Sequence, residues 1–194
     1  MEVKQIYTGC LAQGAYCIES QGEMAIIDPL REVQPYLDLA EGRGARIKYV
    51  LETHFHADFV SGHVTLAEKT GAPIVFGPNA NPTFDAHIAT DGEVFKVGKV
   101  TIEVLHTPGH TMESTTYLLR DKEGKPHAIF TGDTLFLGDV GRPDLGMPVA
   151  THLVVALVVR KDEHHVGVLG GLRAWRSWIE EEDDGGQRQG GLCG

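Results

Sequence analysis

Three segments of this chain share one pattern: a β-rich apolar stretch runs into a polar turn that offers a side chain able to bind a metal. Residues 47–51 lead into Glu52-Thr53-His54-Phe55-His56-Ala57-Asp58. The second segment is Leu105-His106-Thr107-Pro108-Gly109-His110, and the third is Ile129-Phe130-Thr131-Gly132-Asp133. In extended backbone, positions i, i+2 and i+4 project to one side, so His54, His56 and Asp58 can face one pocket. Gly109 and Gly132 let the chain turn sharply before the ligand, and Pro108 stiffens the approach. One such segment says little, because a single His or Asp at a strand end is usually a surface or capping residue. Three in this order constrain the fold more than any other feature.

The rest of the chain is built around them. Strands over 15–19 and 24–27 flank Gln21-Gly22, a hairpin closed by Asp28-Pro29. Val33, Tyr36, Leu37 and Ala40 recur at helical spacing until Gly42 and Gly44. A second helix with Val60, Val64 and Ala67 on its apolar face ends at Gly71, just before Pro73. Further strands are predicted over 73–76, 93–97, 99–105, 115–119 and 128–130. Hairpin-paired strands interrupted by helices imply a layered α/β sandwich rather than a doubly wound parallel sheet. After Leu145 the character changes. Residues 153–159 are apolar without clean periodicity, and from Glu180 the chain turns acidic and then Gly/Gln/Arg-rich, a composition expected to be disordered. The reading is a metal-binding domain over 1–145 and an atypical tail over 146–194.

Composition excludes several function classes. With 194 residues, 42% hydrophobic, this is an ordinary globular chain with room for one domain. Lys plus Arg is 17 and Asp plus Glu 27, a net charge of −10, which argues against nucleic acid and anionic membrane as partners. The longest apolar stretch is far short of the ~20 residues that span a bilayer. No signal pattern opens the sequence, so a cytoplasmic location is expected. Three cysteines without C-x-x-C spacing argue against a disulfide scaffold or a thiolate zinc site. Cys10 and Cys17 read as buried small hydrophobes.

The sequences Thr53-His54-Phe55-His56-Ala57-Asp58, Thr107-Pro108-Gly109-His110-Thr111 and Thr131-Gly132-Asp133-Thr134-Leu135-Phe136 resemble the metallo-β-lactamase superfamily. Gly138-Asp139-Val140-Gly141-Arg142-Pro143-Asp144-Leu145, and the stretch Gly71 to Pro78, are similar to its persulfide dioxygenase branch, some members of which are fused to rhodanese domains. The resemblance implies an αβ/βα sandwich: two facing mixed sheets, outer helices and a metal site along one edge. The C-terminal part is expected to be incomplete or atypical, because the sequence after Leu145 does not resemble the strands, helices and terminal histidine motif with which the superfamily domain normally continues.

Hydrolases of the superfamily usually carry H-x-H-x-D-H and a late histidine, and bind two zinc ions. Here Phe59 stands at the sixth position of that string and has no lone pair, and no late histidine motif is recognised. The resemblance therefore implies one Fe(II), held by His54, His110 and Asp133, a set that leaves positions open for O₂ and substrate. His56 and Asp58 would orient water or ligands by hydrogen bonds, unless His56 also coordinates, as in the zinc relatives. The implied reaction oxidises a thiol persulfide such as glutathione persulfide with O₂ to sulfite and thiol. Arg142 is the candidate partner of a substrate carboxylate, with an ion pair to Asp139 or Asp144 as the equal alternative.

Two other readings stand beside it. One is a glyoxalase II-like zinc thioesterase. The other is an inactive truncated or frame-altered chain, suggested by the sequence after Leu145. Asp28 either supports the metal loops or caps its own turn. His63 reads as a packing or capping residue, His106 as packed at a strand end, His87 and His127 as residues in polar surroundings that need no role, and His152, His164 and His165 as solvated. No cysteine sits in a rhodanese-like loop, so sulfur transfer is not indicated. Oligomeric state is open, and a homodimer is compatible with the sequence.

Overall fold

The computed structural model describes residues 1–9, 13–136 and 139–141, the last two strand residues by their backbone alone. The expected division at residue 145, the tail beyond it, Arg142, Cys10 and the histidines after residue 145 lie outside the described residues.

Ten strands make two sheets. The first has six, β1 (Glu2–Thr8), β2 (Gln13–Ser20), β3 (Glu23–Ile27), β4 (Arg46–Leu51), β5 (Ile74–Phe76) and β6 (His87–Ile88), hydrogen-bonded in that order. It is mixed: β1, β2 and β3 are antiparallel, and β3 to β6 are parallel. Helix α1 (Gln34–Gly42) connects β3 to β4, and α2 (His63–Thr70) connects β4 to β5. The second sheet is antiparallel, β7 (Val94–Val97), β8 (Val100–His106), β9 (Thr115–Arg120) and β10 (Pro126–Phe130), with β10 and β7 at its edges. A small hairpin, β11 (Leu135–Phe136) and β12 (Asp139–Val140), follows.

The β3 sequence shows why the layers form. Glu23-Met24-Ala25-Ile26-Ile27 has no polar alternation because both of its faces are buried. Ala25 and Ile27, with Ile18, Leu51 and Val75, pack against Phe95, Val97, Val100, Ile102, Val104, Tyr117 and Leu119 of the second sheet. Met24 and Ile26 point the other way, against Tyr36 and Ala40 of α1 and Leu66 of α2. Fully burying one such side chain contributes about 1.5–3 kcal/mol, so the two layers are the main source of stability. The predicted hairpin is present: Gln21 and Gly22 both have positive φ, 55° and 75°, the turn that matches the twist of the paired strands.

One strand goes beyond the sequence reading and one expectation changes. The polar-looking N-terminal segment is a strand, β1, which no periodicity signalled because it lies at the sheet edge and is largely exposed. The second helix begins at His63, so Val60 precedes it and is 63% exposed; its buried residue is Leu66, while Val64 faces outward. The apolar spacing read across Val60 and Val64 had joined a turn to a helix.

Candidate metal centre

Strand direction assembles the site. β3 and β4 are parallel, so their C-terminal ends, which lead to Asp28 and to Thr53-His54, lie side by side. β8 and β10 both pair antiparallel with β9 and so run the same way, which brings the loops bearing His110 and Asp133 together. Two hydrogen bonds stitch the sheets at this edge: Thr115 N–H donates to Thr53 O at 2.8 Å, and the Tyr117 hydroxyl to Glu52 O at 2.9 Å.

His54, His110 and Asp133 converge. Asp133 Oδ2 is 3.9 Å from His54 Nε2 and 3.7 Å from His110 Nε2, and one donor atom from each of the three lies within 4.8 Å of the other two. Ligands bound about 2.0–2.2 Å from one ion lie about 3–4 Å apart, so the set fits a single divalent metal. The His54 and His110 rings meet edge to face, with centroids 4.9 Å apart. His54 is buried, whereas His110 and Asp133 are part-exposed, which leaves one side of the centre open.

A relay behind His54 orients its lone pair. Asp28 Oδ1 accepts the Thr53 backbone N–H at 2.7 Å, and Oδ2 accepts the Thr53 hydroxyl at 2.8 Å. Having given its one proton to the carboxylate, Thr53 Oγ1 can only accept from His54 Nδ1, 2.9 Å away. His54 is then protonated at Nδ1 and presents its lone pair at Nε2, facing Asp133. Burial, followed by the neighbouring His56, pushes the His54 pKa down to about 4, so the ring is neutral at pH 7. Of the two expected roles for Asp28, the structure shows the first, support of the metal loop. It does so from a left-handed backbone conformation, φ 48°, uncommon outside glycine.

His56 takes a different place. Its Nε2 lies 3.2 Å from Asp28 Oδ1 and 3.5 Å from Glu52 Oε2, with neither aligned well enough to be a hydrogen bond. Burial opposes its charge, but the Asp28 carboxylate, followed by those of Glu52 and Asp58, outweighs it and raises the pKa to about 9. Its ring packs against His54, centroids 4.2 Å apart, and on the other neighbour Phe59 at 4.3 Å. Asp58 is exposed and belongs to neither donor cluster.

The loops are locked to one another. Glu113 Oε1 accepts the Phe55 N–H at 3.1 Å, joining the His54 turn to the His110 loop. Gly132, at φ 49°, lets the Asp133 turn pass Thr53, where a Cβ would stand 2.3 Å from Oγ1. Gly141 lies so close to Asp133 O that a Cβ would overlap it, and it approaches His110 Cβ as well. Thr53, Glu52 and Glu113 are the site residues that sequence reading passed over. Their one signal is a polar residue set directly beside a buried strand, a cue that capping residues share. His63 is the first residue of α2, and its Nδ1 is 3.3 Å from Glu52 Oε1. His106 Nε2 contacts Met112 O at 3.0 Å, and exposed His87 pairs with Glu93. Cys17 is buried, as expected.

The two-sheet sandwich thus carries three candidate metal donors at strand ends along one edge. The profile of the metallo-beta-lactamase superfamily matches residues 8–184, and the chain belongs to that superfamily. Among curated proteins it is similar to the cytoplasmic hydroxyacylglutathione hydrolase of Arabidopsis thaliana, 34% identical over 145 residues, covering 72% of this chain and 56% of the relative. The chain spans about half the length of the curated relatives it matches. Among solved structures it is similar to a metallo-beta-lactamase from Staphylococcus aureus, 40% identical with a TM-score of 0.70, covering 75% of this chain and 47% of that one. ETHE1 from Myxococcus xanthus is 30% identical, with a TM-score of 0.64 and coverage of 73% and 61%, a likeness that supports the branch recognised in the sequence. No helix among the described residues is long and apolar enough to cross a membrane.

Proposed function

We propose that the chain is a mononuclear non-haem iron persulfide dioxygenase, oxidising glutathione persulfide or a similar thiol persulfide. The observation that carries this reading is Phe59. Where the two-metal hydrolases place a ligand, an aromatic ring packs on His56 and offers no lone pair. His56 Nε2 faces Asp28 and Glu52, and among the described residues His54, His110 and Asp133 form a separate, part-exposed donor set.

The reaction balances as RSSH + O₂ + H₂O giving RSH and sulfurous acid: the outer sulfur loses four electrons and O₂ gains four. Iron held by His54, His110 and Asp133 would supply the redox chemistry that side chains cannot. The protein's own contribution is orientation. The Asp28–Thr53 relay aims His54 Nε2, Gly132 and Gly141 hold the Asp133 turn, and the part-exposed side of the centre admits substrate. Arg142 directly follows Gly141 in sequence, and we assign it the substrate carboxylate, which its planar fork suits. A cytoplasmic location accords with the relative named above.

The second reading is a glyoxalase II-like zinc thioesterase, favoured by the likeness to hydroxyacylglutathione hydrolases. One experiment separates the two. The full chain is purified after iron-replete expression, its metals are measured, and O₂ uptake with glutathione persulfide is compared with hydrolysis of a glutathione thioester. One iron per chain with O₂ uptake, lost in His110→Ala and Asp133→Ala, is the expected result. Two zinc ions per chain with thioester hydrolysis overturns it. A purified chain that holds no metal and shows neither activity indicates the inactive form.

A further inference from the structure

Glu52 is the buried group at this edge that the proposed chemistry does not use. Only 1% of its side chain is exposed. Its oxygens still face three polar side chains. Oε1 accepts the Ser61 hydroxyl at 2.6 Å and lies 3.3 Å from His63 Nδ1, and Oε2 is 3.5 Å from His56 Nε2. These partners sit on the metal turn and at the start of α2, so Glu52 ties the helix to the turn.

Asp28, Glu52 and His56 hold donor atoms as close together as a metal site does. Three of the four carboxylate oxygens already accept hydrogen bonds, both of Asp28 from Thr53 and Glu52 Oε1 from Ser61. Glu52 Oε2 is the carboxylate oxygen turned to His56 Nε2. A buried carboxylate is also a poor means of adding stability, because apolar residues of similar volume commonly do as well or better. Its place is better explained by what it holds. His56, caught between Asp28 and Glu52, packs on His54 at 4.2 Å, so the position of Glu52 passes through His56 to a ring of the triad.

We propose that Glu52 is a positioning residue of the metal centre, fixing the His56 ring and thereby the setting of His54. The inference rests on the His54–His110–Asp133 reading and concerns metal binding, whichever reaction follows.

Co(II) loaded into the full chain in place of the native metal reports the geometry through its visible d–d absorption, and chelator competition reports affinity. Glu52→Gln keeps the size and the Ser61 contact but removes the anion. It is expected to lower metal affinity about 10- to 100-fold and to move the Co(II) bands. Ser61→Ala, which removes a single hydroxyl, is expected to move them the same way by less. Folded Glu52→Gln with unchanged bands and affinity overturns the inference. If Glu52→Gln does not fold, Ser61→Ala decides it, and unchanged bands there overturn it too. A wild-type chain that takes up no Co(II) overturns the metal centre itself, a distinguishable result.

Discussion

Thr53 and His54 are neighbours in sequence whose side chains also face each other, Oγ1 standing 2.9 Å from Nδ1. The hydroxyl donates to Asp28, so it accepts from His54 and leaves the Nε2 lone pair for the metal. Thr53→Val keeps the shape and breaks both contacts. Metal affinity is expected to fall about 10- to 100-fold in chelator competition, while Thr53→Ser stays close to wild type. Equal affinity in the Val variant would show that the relay does not orient the ring.

Asp28 satisfies the buried Thr53 N–H as well as its hydroxyl. Asp28→Ala leaves that N–H without a partner and His56 without its nearer carboxylate. The metal-free protein is expected to lose about 3 kcal/mol of unfolding free energy, read as a lower urea midpoint.

Gly132→Ala meets two obstacles at once. Its φ of 49° strains any residue with a Cβ, and the new atom would press on Thr53 Oγ1 and Cβ. The expected cost is about 2–4 kcal/mol, with metal affinity falling in parallel because Asp133 is next in the chain. Stability lost without any change in affinity would separate the turn from the centre.

Phe59 stands where a histidine would supply a further donor beside Asp58. Under excess zinc the wild-type chain is expected to hold one ion, and Phe59→His to exceed one, measured by elemental analysis after gel filtration. A wild-type chain that already holds two zinc ions would remove the main support for a mononuclear centre.

Cys17 lies between β1 and β3 with 2% of its surface exposed, and burial pushes its thiol up to about 12. At pH 8 only about one part in ten thousand is thiolate. A water-soluble thiol reagent is expected to leave the Cys17 peptide unmodified in the native protein and to label it after denaturation, as followed by mass spectrometry.

The sequence alone determined the order of the chemistry: strands ending in His54, His110 and Asp133, a hairpin turned at Gln21-Gly22, and two helices. These are local signals, set by apolar periodicity, by glycine and proline, and by side-chain type. Tertiary structure decided how they combine. β1 carries no periodic signal because its identity as a strand comes from pairing with β2 at an exposed edge. Val60 and Val64 looked like one helical face until the helix was seen to start at His63 and to bury Leu66. His54 and His56 are two residues apart with the same imidazole, yet one is neutral with a pKa near 4 and the other is raised to about 9. Burial lowers both, and what separates them is the Asp28 carboxylate, 26 positions before His54 in the chain, set beside His56 and followed by Glu52 and Asp58. A side chain's type is written in the sequence, but its charge and the aim of its lone pair depend on which distant groups the fold places within a few ångströms, and at what depth from water.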